Sequence, residues 1–309
     1  MIPTKEWLLS QMGENGAVVS TAQELKDAVA ANKETICVYG KIDLGELDKT
    51  LTLKDNQKLV GVGYFGDFDN DVNKYSSICA SSENKISLLT IKSKNNLISD
   101  LSINFNGNAT MGVIRVMGTS TILKNVALNI VSNEKASFAG IETYNGTLNL
   151  DGNVSISTTG KKCFGIWNYR PTGSNKSVTN ILKTANVNII TTGEYGLGIV
   201  NECGTTNIAG KLTIKTQASR AYGLYNYASV NNNINIENTS EVLIVSSNAN
   251  NIYNGNSSTN SIKIAEAAKI ALGKTSDDTK YYKVKDDFEK NGVSYSILPS
   301  NIKELLSVE

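Results

Sequence analysis

Short hydrophobic bursts separated by polar residues recur along most of the chain. In the stretch AYGLYNYASVNNNINIENTSEVLIVSS (221–247), three such bursts are divided by asparagine and serine. Each burst is too short for a helix, and alternation at every second residue is typical of a strand with one buried face. The pattern therefore predicts an all-β protein built from many short strands.

A repeated glycine–aliphatic pair sets the period of this pattern. The pair stands at Gly140-Ile141, Gly165-Ile166, Gly198-Ile199 and Gly223-Leu224, and Asn251-Ile252 continues the series, at intervals of 25, 33, 25 and 28 residues. Two further bursts follow each pair, so each period holds three strands and no helix. Repeats of this kind stack as coils. One coil per period predicts a right-handed parallel β-helix, a three-sheet solenoid with an apolar interior.

Alternation within the first burst of each coil assigns its side chains to two faces. The predicted inward residues are Ile166, Ile199, Leu224 and Ile252, and the predicted outward residues are Trp167, Val200, Tyr225 and Tyr253. An asparagine follows three residues after four of the five anchors, at Asn168, Asn201, Asn226 and Asn254. Stacked amides hydrogen-bond along a column and satisfy backbone groups that a bend leaves unpaired. We therefore predict a structural asparagine ladder, with ligand binding by the same amides as the alternative.

The pattern divides the chain into three segments. Residues 1–35 form an N-terminal segment with a capping helix, residues 36–274 form the β-helix, and residues 275–309 form an irregular C-terminal cap. An earlier anchor, Gly112-Val113-Ile114, stands 28 residues before Gly140. At this period the solenoid would have roughly nine coils.

Both ends of a stack of strands need cover, because exposed edges invite aggregation. Thr21 and Glu24 have the spacing of a capping box, and the apolar residues that follow predict a helix of about ten residues over the first coil. At the other end, Pro299 followed by NIKELLSV predicts a short terminal helix.

Composition excludes several classes of function. The 309 residues include 30 basic and 29 acidic ones, for a net charge of +1. This balance gives no electrostatic field that would attract nucleic acid or an anionic membrane. The chain has no histidine, which excludes serine–histidine or cysteine–histidine catalysis and imidazole metal sites. The start MIPTKEWLLSQM lacks the features of a signal peptide. The sequence also contains no 18-residue apolar run, the pattern that would predict membrane insertion. If the protein is exported, we expect its signal and anchor to lie outside this chain.

The four cysteines are far apart in sequence. Cys37, Cys79, Cys163 and Cys203 match no paired metal-binding spacing. Isolated buried thiols are the favoured interpretation, and disulfide pairing is the alternative.

The opening coils carry a family resemblance. The stretch VVSTAQELKDAVAANKETICVYGKIDL, followed by LTLKDNQKLVGVG and NLISDLSINF, resembles the first coils of pectate-lyase-like β-helix proteins. The later aromatic–glycine–aliphatic–x–asparagine repeats resemble those of bacterial surface proteins, including autotransporter passenger adhesins. The resemblance implies export and surface display, in an extracellular or cell-surface location. It does not indicate a substrate.

Pectate-lyase-like enzymes hold calcium with acidic residues beside an arginine or lysine base. Arg115 aligns with Thr143 in the repeat, so Glu142 is its nearest predicted acidic neighbour, and no second carboxylate joins that column. Arg115 and Glu142 are therefore weak catalytic candidates.

Alternate carboxylates at Asp67, Asp69 and Asp71 form the strongest acidic constellation. Such spacing lets oxygens converge on a hard cation. The loop departs from the helix–loop–helix calcium motif, since Val72 and Ile78 occupy its expected glycine and glutamate positions. A solvated loop is the favoured interpretation, and weak calcium binding is the alternative. We expect no other cofactor.

Aromatic residues cluster around the asparagine column. They are Trp167, Tyr169, Tyr225, Tyr227 and Tyr253, joined more loosely by Tyr144. Rings spaced by one coil present an amphipathic strip suited to a glycan, a host or neighbouring-cell protein, or self-association. The alternative is that the tyrosines pair along the β-ladder and stabilise the sheet.

Three functional hypotheses follow. The first is a non-enzymatic bacterial cell-surface or secreted β-helix module, adhesin-like or passenger-like, that needs no catalytic cluster. The second is a polysaccharide lyase or related carbohydrate-active enzyme, which needs convergent carboxylates and a base in one groove. The third is a phage or structural fibre protein, in which the aromatic strip is a subunit interface.

Overall fold

The computed structural model is a β-solenoid whose parallel sheets stack over about eight turns, which confirms the predicted all-β parallel β-helix class. The sequence intervals predicted roughly nine coils, close to this number. The structure describes residues 2–66, 75–132, 137–169, 177–227, 231–246, 251–255, 260–265, 267–277, 279–284 and 306–308.

Two of the three strand columns join through the long strands β8 (Leu97–Gly107) and β10 (Thr121–Val131), which bend from one column into the next. Sheet A contains β1 (Gly16–Val19), β2 (Thr35–Val38), β5 (Lys58–Gly61), the first halves of β8 and β10, β12 (Thr147–Asp151), β15 (Ser177–Ile181), β18 (Gly204–Ile208), β21 (Asn233–Ile236) and β24 (Ser261–Ile264). Sheet B contains β3 (Gly40–Glu46), β6 (Ser76–Ser82), the second halves of β8 and β10, β13 (Asn153–Thr159), β16 (Asn186–Thr191), β19 (Lys211–Thr216), β22 (Glu241–Ser246) and β25 (Lys269–Gly273).

Sheet C forms the third wall and carries the glycine–aliphatic anchors. Its strands are β4 (Leu51–Leu53), β7 (Leu89–Ile91), β9 (Gly112–Val116), β11 (Phe138–Tyr144), β14 (Cys163–Tyr169), β17 (Ile199–Asn201), β20 (Leu224–Asn226) and β23 (Ile252–Asn254). All pairings within this sheet are parallel.

The predicted register of sheet C holds from β11 to β23. Its paired inward residues are Ile141, Ile166, Ile199, Leu224 and Ile252, and all five are fully buried. The earlier register prediction is wrong by one residue, because Gly112 pairs with Ala139 and not with Gly140. Arg115 therefore lies directly opposite Glu142, not Thr143.

The anchors are glycines because sheet B packs against them inside the solenoid. A Cβ on Gly198 would lie 2.4 Å from Cγ2 of Ile214, and one on Gly223 would lie 2.2 Å from Cγ2 of Ile244. Such distances are far inside van der Waals contact. The repeated glycine thus makes room for an isoleucine of the facing wall.

The N-terminal end is closed by helix α2 (Ala22–Ala30), as predicted. The capping box is present, with the Thr21 side chain accepting from the Glu24 backbone N–H and the Glu24 side chain accepting from the Thr21 backbone N–H. Leu25 and Val29 are buried in the core of the solenoid. The helix therefore covers the apolar end of the first coil.

A second helix, α1 (Lys5–Met12), lies outside the core and did not emerge from the sequence pattern. Leu8 of this helix is fully buried in a separate cluster with Cys37 and Val60 of sheet A. No helix in the described part of the chain is long and apolar enough to cross a membrane.

The C-terminal end of sheet B continues in antiparallel strands. Strand β26 (Lys280–Val284) pairs with β25, and β27 (Leu306–Val308) pairs with β26. The predicted terminal helix is therefore wrong over 306–308, where pairing with a sheet edge decides the conformation of a segment with helical sequence character.

Candidate functional site

The predicted asparagine ladder is present at the corner between sheets C and A. We call it the inner ladder. It consists of Asn168, Asn201, Asn226 and Asn254, and all four side chains are fully buried. Nδ2 of Asn168, Asn201 and Asn226 donates to Oδ1 of the next asparagine, over 3.1, 2.9 and 2.7 Å in turn. Asn168 also accepts a hydrogen bond of 2.6 Å from Oγ1 of Thr179.

The inner ladder also serves the backbone of the bend that follows it. Nδ2 of Asn201 lies 3.2 Å from the carbonyl oxygen of Gly204 and 3.1 Å from that of Asn233. Nδ2 of Asn226 lies 3.2 Å from the carbonyl oxygen of Ser261. Because these carbonyls are inside the protein, the amides replace the water that would otherwise solvate them. This arrangement supports a structural role.

A second ladder on the outer face of sheet A was missed by the sequence analysis. This outer ladder consists of Asn149, Asn180, Asn207 and Asn235, all half-buried, and each successive Nδ2 donates to the preceding Oδ1 over 2.8 Å. The signal was the asparagine that recurs in the second burst of each coil, as in TLNL and TTNI.

The outer face of sheet C carries the aromatic strip. It comprises the predicted Trp167, Tyr169, Tyr225, Tyr227 and Tyr253 together with Tyr144, Phe164 and Tyr222. The rings form two groups. One outer cluster joins the aliphatic side chains of Leu197 and Val200 to rings of both groups, namely Phe164, Trp167, Tyr169, Tyr222 and Tyr225. The centre of the strip is therefore one apolar cluster on the outside of the solenoid.

The first group surrounds Trp167. Its ring centroid lies 4.5 Å from that of Tyr169 and 5.4 Å from that of Phe164. Trp167 is only 8% exposed. It therefore points outward as predicted but is largely covered by its neighbours, so Tyr169 and Tyr144 supply more of the accessible surface here.

The second group is a stack of tyrosines from consecutive coils. The rings of Tyr225 and Tyr253 are 4.9 Å apart and inclined by 15°, and those of Tyr225 and Tyr227 are 5.3 Å apart and inclined by 24°. Tyr227 is 48% exposed. Burial, followed by the neighbouring Tyr253 and Tyr227, raises the pKa of the Tyr225 hydroxyl.

An arginine–glutamate pair lies at the end of the strip nearest the N-terminus. Nε and Nη2 of Arg115 lie 2.5 Å and 3.4 Å from the two carboxylate oxygens of Glu142. The Glu142 side chain is fully buried although it belongs to the outer face. Its burial raises the pKa of this carboxyl, and the hydrogen bond and charge of Arg115 act in the opposite direction. Arg115 also lies over the ring of Tyr144.

A second carboxylate, Glu202, lies within the strip and was not singled out from the sequence. Nε1 of Trp167 donates to Oε2 of Glu202 over 2.8 Å. Burial raises the pKa of Glu202, and the hydrogen bond from Trp167 partly opposes that shift. The pKa of Tyr169 is also raised, first by burial and then by the negative charges of Glu202 and Glu142. The only sequence signal was an acidic residue directly after a ladder asparagine.

The remaining predicted ligands are not part of this surface. Asp67, Asp69 and Asp71 lie outside the described residues, so the weak calcium site stays a prediction. The four cysteines, which all lie in the described part of the chain, form no disulfide with one another, and burial raises the pKa of Cys37 and Cys163 to about 12. These two thiols are therefore protonated at neutral pH, which fits a packing role.

Comparison with known proteins does not assign the chain to a family. No protein-family model matches it, and no curated protein matches it. What the structure establishes is the β-solenoid itself, with asparagine side chains hydrogen-bonded between turns.

Proposed function

We propose that this protein is a non-enzymatic β-helix module of a secreted or bacterial cell-surface protein, adhesin-like or passenger-like, whose aromatic strip binds an extended glycan. The observation that carries the proposal is the alignment of rings along the solenoid axis, with Tyr225 and Tyr253 of consecutive coils 4.9 Å apart and nearly parallel. The similarity of the opening coils to pectate-lyase-like proteins, and of the later repeats to passenger adhesins, supports export.

The shape of the strip favours a linear polymer of sugars. Parallel coils repeat about every 4.8 Å, so a polymer along the axis meets a similar surface at each step. Sugar rings have apolar C–H faces that pack on aromatic faces, while tyrosine hydroxyls provide hydrogen bonds at the ring edges. Because the rings are held on a stacked sheet, little conformational entropy is lost when a ligand orders them.

A polysaccharide lyase has less support from the site. The guanidinium of Arg115 is bonded to both oxygens of Glu142, and that side chain is fully buried. A proton-abstracting base must lie within hydrogen-bond reach of its substrate, whereas Arg115 and Glu142 are bonded to each other.

Glycan-array screening followed by titration calorimetry tests the proposal. Tyr169→Ala and Tyr225→Ala should each weaken binding to a glycan that the array identifies by about tenfold or more, since each substitution removes an accessible aromatic contact. Tyr64→Ala is the matched control, because Tyr64 is an exposed tyrosine in the 3₁₀ turn Val62–Phe65, away from the strip. Circular dichroism checks that the variants stay β-rich.

Two results would contradict the proposal. If the strip variants lower the melting temperature but leave glycan affinity unchanged, the rings only stabilise the sheet. If light scattering shows a stable trimer that the same variants dissociate, the strip is a subunit interface, as in the fibre hypothesis.

A further inference from the structure

One row of the aromatic strip is interrupted by a carboxylate. The row runs Tyr144, Tyr169, Glu202 and Tyr227, one residue per coil at the position after the ladder. The pairing of Tyr144 with Tyr169 begins it. The backbone N–H of Glu202 donates to Asn168 over 3.0 Å, and that of Tyr227 donates to Asn201 over 3.0 Å. Glu202 therefore lies between two tyrosine positions on the outer surface.

Glu202 is the one glutamate in the described part of the chain that is not exposed and still has no basic partner. Glu34, Glu142, Glu194 and Glu241 each pair with a lysine or arginine. Glu202 has instead the Trp167 N–H at 2.8 Å, a neutral donor that fixes one carboxylate oxygen. A partly buried carboxylate without a counter-ion gains stability when a cation arrives.

We infer that Glu202, flanked by Tyr169 and Tyr227, is the site for a protonated amine, and that the bound glycan is a polymer of amino sugars with free amino groups. This inference rests on the proposed function and assigns its ligand class. The carboxylate supplies the opposite charge, and the electron-rich faces of the rings attract the same cation.

The arrangement around Glu202 favours a sugar polymer over a lysine side chain of a protein partner. The strip extends from Glu202 over the tyrosine stack of the next coils, where Tyr225 and Tyr253 form a flat surface. A polymer with one amine at Glu202 and further sugar rings on these tyrosines uses both features. A single lysine side chain uses only the first.

Titration calorimetry with two oligosaccharides of equal length separates the amine from the sugar ring. The probes are a chitosan oligosaccharide, with free amines, and the fully N-acetylated chitin oligosaccharide. Wild-type protein should bind the chitosan probe at least about tenfold more tightly. Glu202→Gln should abolish this preference and leave the affinity for the N-acetylated probe unchanged, because glutamine keeps the acceptor for Trp167 but has no charge.

Glu194→Gln is the matched control for Glu202→Gln. The Glu194 side chain is 43% exposed and pairs with Lys161 over 2.7 Å on another corner of the solenoid. Its removal should leave the preference for the amine unchanged. Binding of the chitosan probe should also weaken as the pH falls through the raised pKa of Glu202, since protonation removes the negative charge.

Four outcomes would overturn the inference. Equal affinity for the two oligosaccharides, or an unchanged preference in Glu202→Gln, would remove the amine site while glycan binding by the strip still stands. A lysine-rich peptide that binds more tightly than the chitosan probe would transfer the site to a protein ligand. If neither oligosaccharide binds, the inference fails, and the proposed function fails with it only if the glycan array is also blank.

Discussion

The inner and outer asparagine ladders use the same amide-to-amide hydrogen bond in opposite environments. The bonds are 2.7–3.1 Å long inside the solenoid and 2.8 Å long outside it. The inner amides are fully buried, and the outer amides are half-buried. Bond length therefore does not distinguish the two ladders, and their surroundings do.

The surroundings decide what each ladder contributes to stability. Asn201 of the inner ladder lies close to two backbone carbonyls as well as to its neighbouring amides. If its side chain is removed, buried groups lose their partners, and each unpaired buried group costs about 1–3 kcal/mol. Among the described residues, the side chain of Asn207 in the outer ladder bonds only to Asn180 and Asn235. Water can replace it there.

The largest effect is expected for Asn201→Leu. The substitution interrupts the inner ladder and leaves Asn226 and the nearby carbonyls without a donor, so the free energy of unfolding should fall by about 3 kcal/mol. Urea denaturation monitored by circular dichroism measures this loss of unfolding free energy. A loss below about 1 kcal/mol would show that the corner repacks without the ladder.

A smaller effect is expected for Arg115→Met. This variant tests whether Glu142, a fully buried residue on the outer face, affects stability as an interior residue does. The variant leaves the buried Glu142 carboxylate without its cation, so we expect a loss of about 2 kcal/mol at pH 7, reduced from the usual value because Arg115 is partly exposed. The double variant Arg115→Met with Glu142→Gln should recover most of this loss.

The pH dependence of Arg115→Met follows from the same carboxylate. Burial already raises the pKa of Glu142 against the opposing effect of Arg115, so removal of the arginine raises it further. A carboxyl whose pKa is higher in the folded state than in the unfolded state destabilises the folded state at any pH above the pKa of the unfolded state. The loss of unfolding free energy in the variant should therefore shrink as the pH falls below the pKa of Glu142 in the folded state. A deficit independent of pH would assign the loss to packing.

The smallest effect is expected for Asn207→Leu, the same substitution as Asn201→Leu on the outer ladder. The free energy of unfolding should change by about 0.5 kcal/mol or less, because water reaches the amides of Asn180 and Asn235. Urea denaturation under the same conditions gives the direct comparison. Equal losses for the two leucine variants would mean that burial does not distinguish the ladders.

Local pattern was sufficient to predict much of the fold. The glycine anchors and the alternation of their bursts gave the coil, the inward isoleucines and the inner ladder, because strands of one period must stack in register to bury the same face. The capping helix was also predictable, since Thr21 and Glu24 form their hydrogen bonds within one turn. These features depend on residues close in sequence or on one repeated spacing.

Other features depend on contacts between coils that the repeat does not specify. The pairing of Gly112 with Ala139, and hence of Arg115 with Glu142, follows from packing in the less regular coils. Glu202 meets Trp167 across 35 residues of sequence, and no local pattern marks that contact.

The sequence by itself determined that this chain winds into a parallel solenoid with amides stacked along an inner corner, because period-two alternation repeated every coil admits few other ways to bury its apolar side chains. The tertiary structure alone decided how far each outward residue is covered. Trp167 is packed beneath its neighbours while Tyr227 stays exposed, and this difference depends on which side chains of adjacent coils meet.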